Sequence, residues 1–182
     1  MMKRKFSKHI GKVAVGSGLI GASIYVLMIN VTLAHIEAVS GQVPFDMRPL
    51  GYGSTEAAAL LDALGVQGRA YYLSHQIALD TVYPLMLCST LIATICWFGQ
   101  GMPNKKPVRF GIAFSVGSAL FDYVENLGIA VMIWRWPEVS APLVYATSSA
   151  TVLKSALTTL AVLLTFVVGY NRARRSEAGA RR

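Results

Sequence analysis

Two long stretches of the sequence carry no Asp, Glu, Lys or Arg, and they limit what this chain can fold into. The first lies between Lys12 and Glu37, and the second lies between Asp80 and Lys105. A helix that crosses a bilayer needs roughly 20 mostly apolar residues, so each stretch is long enough. Charged residues make up 14% of the chain, below the roughly 25% of an ordinary soluble protein. The sequence therefore argues against a soluble enzyme.

Two further apolar stretches reach spanning length only if charged residues are buried within them. With these, the sequence predicts an all-α fold, a polytopic bundle of four transmembrane helices, in one membrane domain covering residues 1–182. The predicted spans are about 13–34, 70–98, 110–134 and 142–170, with an outer loop over 35–69 and a basic tail over 171–182. A cleaved signal peptide would have an apolar core of about 7–15 residues. Because the first stretch continues to about Ala34, we predict a retained helix.

Basic residues are distributed unequally between the two ends of the predicted spans. The outer loop and the turn between spans three and four hold Arg48, Arg69 and Arg135, and Lys154 falls inside a span. The other 13 of the 17 Lys and Arg residues flank the opposite ends. They are Lys3, Arg4, Lys5, Lys8, Lys12, Lys105, Lys106, Arg109, Arg172, Arg174, Arg175, Arg181 and Arg182. The positive-inside rule then places both termini in the cytoplasm. Tyr71 and Tyr72 are predicted to be interfacial aromatic residues at the outer end of span two.

The outer loop contains one predicted helix. Ser54 or Thr55 can cap its start, and Gly65 is predicted to end it after Leu64. The pattern is compatible with an interfacial helix that lies on the mouth of the bundle, and equally with a surface helix that only spaces the spans.

Four ionisable residues fall inside the predicted spans, where each costs about 2.5–3.5 kcal/mol on insertion scales. At 1.5 Å per residue, all four lie roughly 12–17 Å from the outer helix ends. They are Asp80, Asp122, Glu125 and Lys154. We therefore expect them to converge at one depth, with at least one carboxylate within ion-pair distance of Lys154.

Polar residues at helical spacing continue these charged positions along each span. Asn126 shares a face of span three with Asp122 and Glu125, and Gln76 and Tyr83 share a face of span two with Asp80. These seven residues are the predicted ligand or proton site. Pro84 is also expected to free the carbonyl of Asp80, four residues earlier, and to kink span two.

Several motifs between residues 50 and 130 look familiar as a set. They are Gly51-Tyr52-Gly53, Leu79-Asp80 with Tyr83-Pro84, and Asp122-x-x-Glu125-Asn126. The set resembles an uncharacterised family of four-helix bacterial integral membrane proteins with LDxx(Y/F)P and DxxEN motifs. This resemblance implies a fold and a bacterial cytoplasmic (inner) membrane, but no reaction. The architecture alone is loosely similar to EXPERA-type sterol isomerases and sigma-2-like lipid-binding proteins.

Three buried acids facing one lysine leave an excess of acid, which favours a functional site over a purely structural one. The leading hypothesis is binding or processing of a small amphipathic or lipid-like ligand in an outward-facing polar pocket. The alternatives are a proton- or ion-coupled small transporter or transporter subunit, and a structural subunit of a membrane complex. Whether the protein is an enzyme stays open.

The predicted partners are membrane lipids, a lipid-like small molecule and a further membrane protein, with no nucleic acid. We predict no metal and no cofactor. The alternative of a haem held by His35 and His75 is disfavoured, because both histidines lie near helix ends.

Overall fold

The computed structural model describes residues 2–180, with side chains over residues 9–175. Within that part of the chain every regular element is a helix. Four of these helices are long and apolar enough to cross a membrane, which confirms the predicted all-helical class and indicates a multi-pass membrane protein. Six of the basic residues used for the orientation lie outside the described side chains. They are Lys3, Arg4, Lys5, Lys8, Arg181 and Arg182.

Five helices, here named α1 to α5, make up the fold. Helix α1 runs through Met2–Leu27, a π-helical segment Met28–Leu33 and Ala34–Ser40. A 3-10 turn Phe45–Met47 and α2, Ser54–Ala63, follow in the outer loop. Helix α3 runs through Gly65–Tyr71, a π-helical segment Tyr72–Gln76 and Ile77–Phe98. Helices α4 and α5 are Lys106–Arg135 and Ala141–Ala180.

The helices extend beyond the predicted spans at their outer ends. Helix α1 continues to Ser40 instead of ending near residue 34, and α3 begins at Gly65 instead of near residue 70. Gly41 and Gly65 have φ values of 63° and 58°, the left-handed region that glycine adopts without steric cost. The chain turns at these two glycines. The glycines, and not the apolar composition, therefore set where α1 ends and where α3 begins.

Helix α3 contacts each of the other three long helices, and α1 packs mainly along it. Helix α4 packs most extensively against α5 and is the most buried of the four candidate membrane spans. Gly128 of α4 lies so close to Thr147 of α5 that a methyl group there would collide with the threonine side chain. Large apolar side chains such as Leu127 and Phe166 remain exposed on the outside, as expected for surfaces that face lipid.

The outer loop packs over one end of the bundle. Phe45 of the 3-10 turn and Leu60 and Leu61 of α2 are completely buried. They join one apolar cluster with residues of α1, α3, α4 and α5. This cluster closes the outer end of the bundle above the residues predicted to form the site.

Candidate functional site

Lys154 of α5 forms two ion pairs with α4 in the middle of the bundle. Its Nζ atom lies 3.1 Å from Oδ1 of Asp122 and 2.5 Å from Oε2 of Glu125. The Asp122 contact is also a hydrogen bond, whereas the Glu125 contact meets only the distance of an ion pair. The Thr151 hydroxyl, one helical turn from Lys154, donates to Oε1 of Glu125 at 2.8 Å. The structure thus brings these three predicted residues into direct contact.

Asp80 and Asn126 meet across the contact between α3 and α4. The Asn126 amide Nδ2 donates to the backbone carbonyl of Asp80 at 2.9 Å. This is the carbonyl that Pro84 leaves without its helical partner. The side-chain oxygens Oδ2 of Asp80 and Oδ1 of Asn126 are buried and receive no hydrogen bond from the described residues.

Asp46 of the outer loop enters the same region and was not predicted from the sequence. Its carboxylate accepts hydrogen bonds from the Tyr72 hydroxyl and from Nε2 of Gln76, the latter at 3.2 Å. Its carboxyl group also lies close enough to the Asp80 carboxyl to interact with it electrostatically. We call Asp46, Asp80, Asp122, Glu125 and Lys154 the acid layer.

The local structure of three segments places Asp46 there. Pro44 precedes the 3-10 turn, and the buried Phe45 ring anchors it. The π-helical segments of α1 and α3 pack against each other, and Thr32 of the first donates to Oε1 of Gln76 in the second at 2.5 Å. Tyr72 is completely buried, because the outer loop covers it and its hydroxyl donates to Asp46.

Tyr52 is a second residue of the outer loop that reaches the acid layer. Gly51 has a φ of 89°, and a side chain at its Cα would collide with Ser148. The Tyr52 backbone N–H donates to Ser148 Oγ at 2.7 Å. The Tyr52 hydroxyl lies near Thr151 and Glu125 without completing a hydrogen bond. Burial raises the pKa of this hydroxyl, so it remains a hydrogen-bond donor at neutral pH.

Three buried polar atoms therefore surround the acid layer without partners among the described residues. They are Oδ2 of Asp80, Oδ1 of Asn126 and the Tyr52 hydroxyl. All three residues are more than nine-tenths buried, and an unsatisfied buried polar atom costs about 1–3 kcal/mol. Two acceptors and one donor are thus unpaired in or beside a layer that holds four carboxyl groups and one ammonium group, of which Asp122 and Glu125 contact Lys154 directly.

Tyr83 lies beside the acid layer and not within it. Its ring stacks on that of Tyr25 of α1, with centroids 5.7 Å apart. The two tyrosines line a groove of about 200 Å³ between α1 and α3, together with small residues that include Gly18 and Gly21. Tyr83 is also within electrostatic range of Asp80 and Asp122. Tyr83 therefore belongs both to the wall of this groove and to the electrostatic surroundings of the acid layer.

The two histidines near the outer helix ends flank a tyrosine. His35 and His75 are both exposed, and their ring centroids lie 4.2 and 4.3 Å from that of Tyr71. Among the described residues, no three His, Cys, Asp or Glu side chains are grouped so that they could hold a metal ion.

Two loop residues of the site, Tyr52 and Asp46, were not predicted from the sequence. The sequence indicates the position of the first better than that of the second. Tyr52 stands within the Gly-Tyr-Gly motif, one of the motifs that resemble the four-helix family. The motif indicates that this position is special but does not indicate the role of Tyr52. Asp46 follows a Pro-Phe pair in a loop, and no spacing rule relates a loop residue to a helix face.

Comparisons with known proteins give no relative from which to infer an activity. No protein-family model matches the chain, and neither a curated protein nor a solved structure matches it significantly. Any function must therefore be argued from the site itself.

Proposed function

We propose that this protein lies in a bacterial cytoplasmic (inner) membrane and binds the hydrogen-bond-donating, positively charged head of a small amphipathic ligand at the acid layer. The observation that carries the proposal is the pair of unsatisfied buried acceptors, Oδ2 of Asp80 and Oδ1 of Asn126, beside an excess of carboxyl groups. A protonated amine would donate to Oδ2 of Asp80 and Oδ1 of Asn126 and would offset the excess negative charge.

The groove between α1 and α3 supports a ligand that arrives from the membrane. Its floor is lined by small residues, and Tyr83 stands where it approaches the acid layer. A volume of about 200 Å³ is below the roughly 300–1,000 Å³ of drug-sized pockets. The groove therefore suits a single apolar chain better than a ring system.

Dodecylamine and dodecanol test this proposal, because they share one apolar chain and differ in the charged head. In nanodiscs, we expect dodecylamine to raise the melting temperature of the protein more than dodecanol does. Asp80→Asn should weaken dodecylamine binding by about tenfold or more, since hydrogen bonds to charged groups contribute about 1.5–3 kcal/mol.

The matched control is Asp62→Asn, which removes a carboxylate from the exposed face of α2 and should leave binding unchanged. Equal stabilisation by the two compounds, or equal loss in both variants, would contradict a ligand site at the acid layer.

The second candidate is a proton-coupled transporter or transporter subunit. The electrostatic contact between the Asp46 and Asp80 carboxyl groups favours it, because neighbouring carboxyl groups inside a membrane protein are typical of proton relays. Proton flux into liposomes that hold the protein can be measured with a pH-sensitive dye. Flux that is abolished in Asp46→Asn but not in Asp62→Asn would support this candidate over ligand binding.

A structural subunit would show neither flux nor amine binding and would instead co-purify with a membrane-protein partner.

The proposed orientation places both termini in the cytoplasm, supported by 13 basic residues that flank one end of the predicted spans in the sequence, against three that flank the other end. Cysteine labelling in intact cells tests it, after Cys88 and Cys96 are replaced by alanine. An impermeant reagent should label Asp62→Cys and not Lys106→Cys, two exposed positions at opposite ends. The reverse pattern would overturn the orientation.

A further inference from the structure

A long apolar groove runs between α3 and α5 at the end of the bundle opposite the acid layer. Its volume is about 510 Å³. Its walls include Leu91, Thr94 and Phe98 of α3, and Val162, Phe166 and Gly169 of α5. On α3 the lining residues run from Leu91 to Phe98, seven helical steps that give a length of roughly 10 Å. The groove thus follows the helices through about a third of a hydrocarbon core that is ~30 Å thick.

The apolar groove continues into a basic pocket. Phe98 lines both this groove and a second cavity of about 460 Å³ whose wall includes Arg172, Arg175 and Gly101. The aromatic ring therefore stands at the border between apolar and charged surroundings. Such a border is where the headgroup of a lipid meets its acyl chains.

Contacts with the last turn of α3 and with the turn after it hold the two arginines in place. Nη1 of Arg172 donates to the Trp97 carbonyl at 2.5 Å, and its guanidinium lies 5.7 Å from the centre of the Trp97 ring. Nη1 of Arg175 donates to the Gly101 carbonyl at 3.3 Å. A guanidinium has five N–H donors, so the Gly101 contact leaves donors of Arg175 for an anion.

The charge of this end of the bundle matches an anionic occupant. Thirteen Lys and Arg residues flank this end in the sequence, and Glu177 is the one acidic residue among these flanking segments. Basic pockets between membrane helices recognise anionic lipid headgroups, and each basic residue near the surface contributes to that attraction.

We infer that this combined groove binds one anionic phospholipid, with an acyl chain between α3 and α5 and the phosphate group at Arg172 and Arg175. This site is separate from the acid layer and does not depend on the function proposed for it.

Native mass spectrometry of the full-length protein with phosphatidylglycerol or phosphatidylcholine of identical acyl chains tests the inference. We expect phosphatidylglycerol to be retained about tenfold more than phosphatidylcholine. The double variant Arg172→Gln and Arg175→Gln should lose this preference, whereas Arg109→Gln, an exposed basic residue of α4 at the same end, should keep it.

A pair of neighbouring positions on α5 tests the acyl-chain part of the site. Val162 lines the groove, whereas Leu163 is exposed outside it. Val162→Trp should fill the groove and lower phosphatidylglycerol retention several-fold, and Leu163→Trp should not. Inorganic phosphate alone should neither stabilise the protein nor displace the lipid.

Several outcomes would overturn the inference. Equal retention of the two lipids would do so, as would an equal effect of Arg109→Gln and the double arginine variant. Equal effects of the two tryptophan variants, or displacement of the lipid by inorganic phosphate, would show that the apolar groove holds no chain.

Discussion

Removal of the Lys154 ammonium group tests how strongly the acid layer depends on its cation. In Lys154→Met, Asp122 and Glu125 lose the partner that lies 3.1 and 2.5 Å away, and Glu125 is completely buried. Breaking a buried ion pair by removing one partner costs about 3–5 kcal/mol. For a chain of this size each 1 kcal/mol shifts the melting temperature by about 2–4 °C. We therefore expect a decrease of about 6–20 °C, measured by tryptophan fluorescence in nanodiscs.

Two comparison variants separate lost charge pairing from general damage. Lys106→Met removes an exposed cation, and its effect should stay within about 0.5 kcal/mol, typical of surface changes. A triple variant that combines Lys154→Met with Asp122→Asn and Glu125→Gln should recover most of the lost stability, because the two carboxylates that lose their ion-pair partner are then neutral. The reasoning is refuted if Lys154→Met melts like Lys106→Met, or if the triple variant melts as low as the single one.

Two further substitutions test contacts on either side of the acid layer, both by thermal unfolding. Tyr72→Phe removes the hydroxyl that donates to Asp46 and should cost about 0.5–1.5 kcal/mol, the net contribution of a typical hydrogen bond, since Asp46 is only partly buried; an unchanged melting temperature would show that this hydrogen bond does not hold Asp46 in place. Gly128→Ala places a methyl group against Thr147 and should cost about 1–3 kcal/mol by overpacking. A methyl group added by Gly16→Ala would have no atom within 4 Å, so this substitution should be neutral or stabilising. Equal losses of stability at the two glycines would contradict the close contact between Gly128 and Thr147.

The helical part of the candidate site could be predicted because helix periodicity and rise are nearly constant. Asp122 and Glu125 are three residues apart on α4, as are Thr151 and Lys154 on α5. Residues at this spacing share a helix face. Once two such helices pack side by side, the spacing alone places opposite charges in contact. The same regularity allowed the free carbonyl of Asp80 to be predicted from Pro84.

The loop part of the site could not be predicted, since no repeating geometry fixes a loop residue relative to a helix. Asp46 reaches the acid layer only because Phe45 is anchored in the outer apolar cluster. The π-helical segments at Thr32 and Gln76 add to the difficulty, because an extra residue per turn rotates the outer part of α1 and α3 relative to the inner part. Thus His35, three residues after Thr32, is exposed, while Thr32 is buried.

The composition of the acid layer argues for a binding role over a purely structural one. A structural ion-pair cluster is satisfied by Lys154 with Asp122 and Glu125, which already contact each other across α4 and α5. Asp46 and Asp80 add two more carboxyl groups, and one oxygen of Asp80 has no donor among the described residues. Neutral residues at these two positions would avoid the desolvation of further acids, so helix packing alone gives no reason for them. A ligand that brings positive charge and hydrogen-bond donors into the layer gives such a reason. It would donate hydrogen bonds to the oxygen atoms of Asp80 and Asn126 that the fold leaves unpaired.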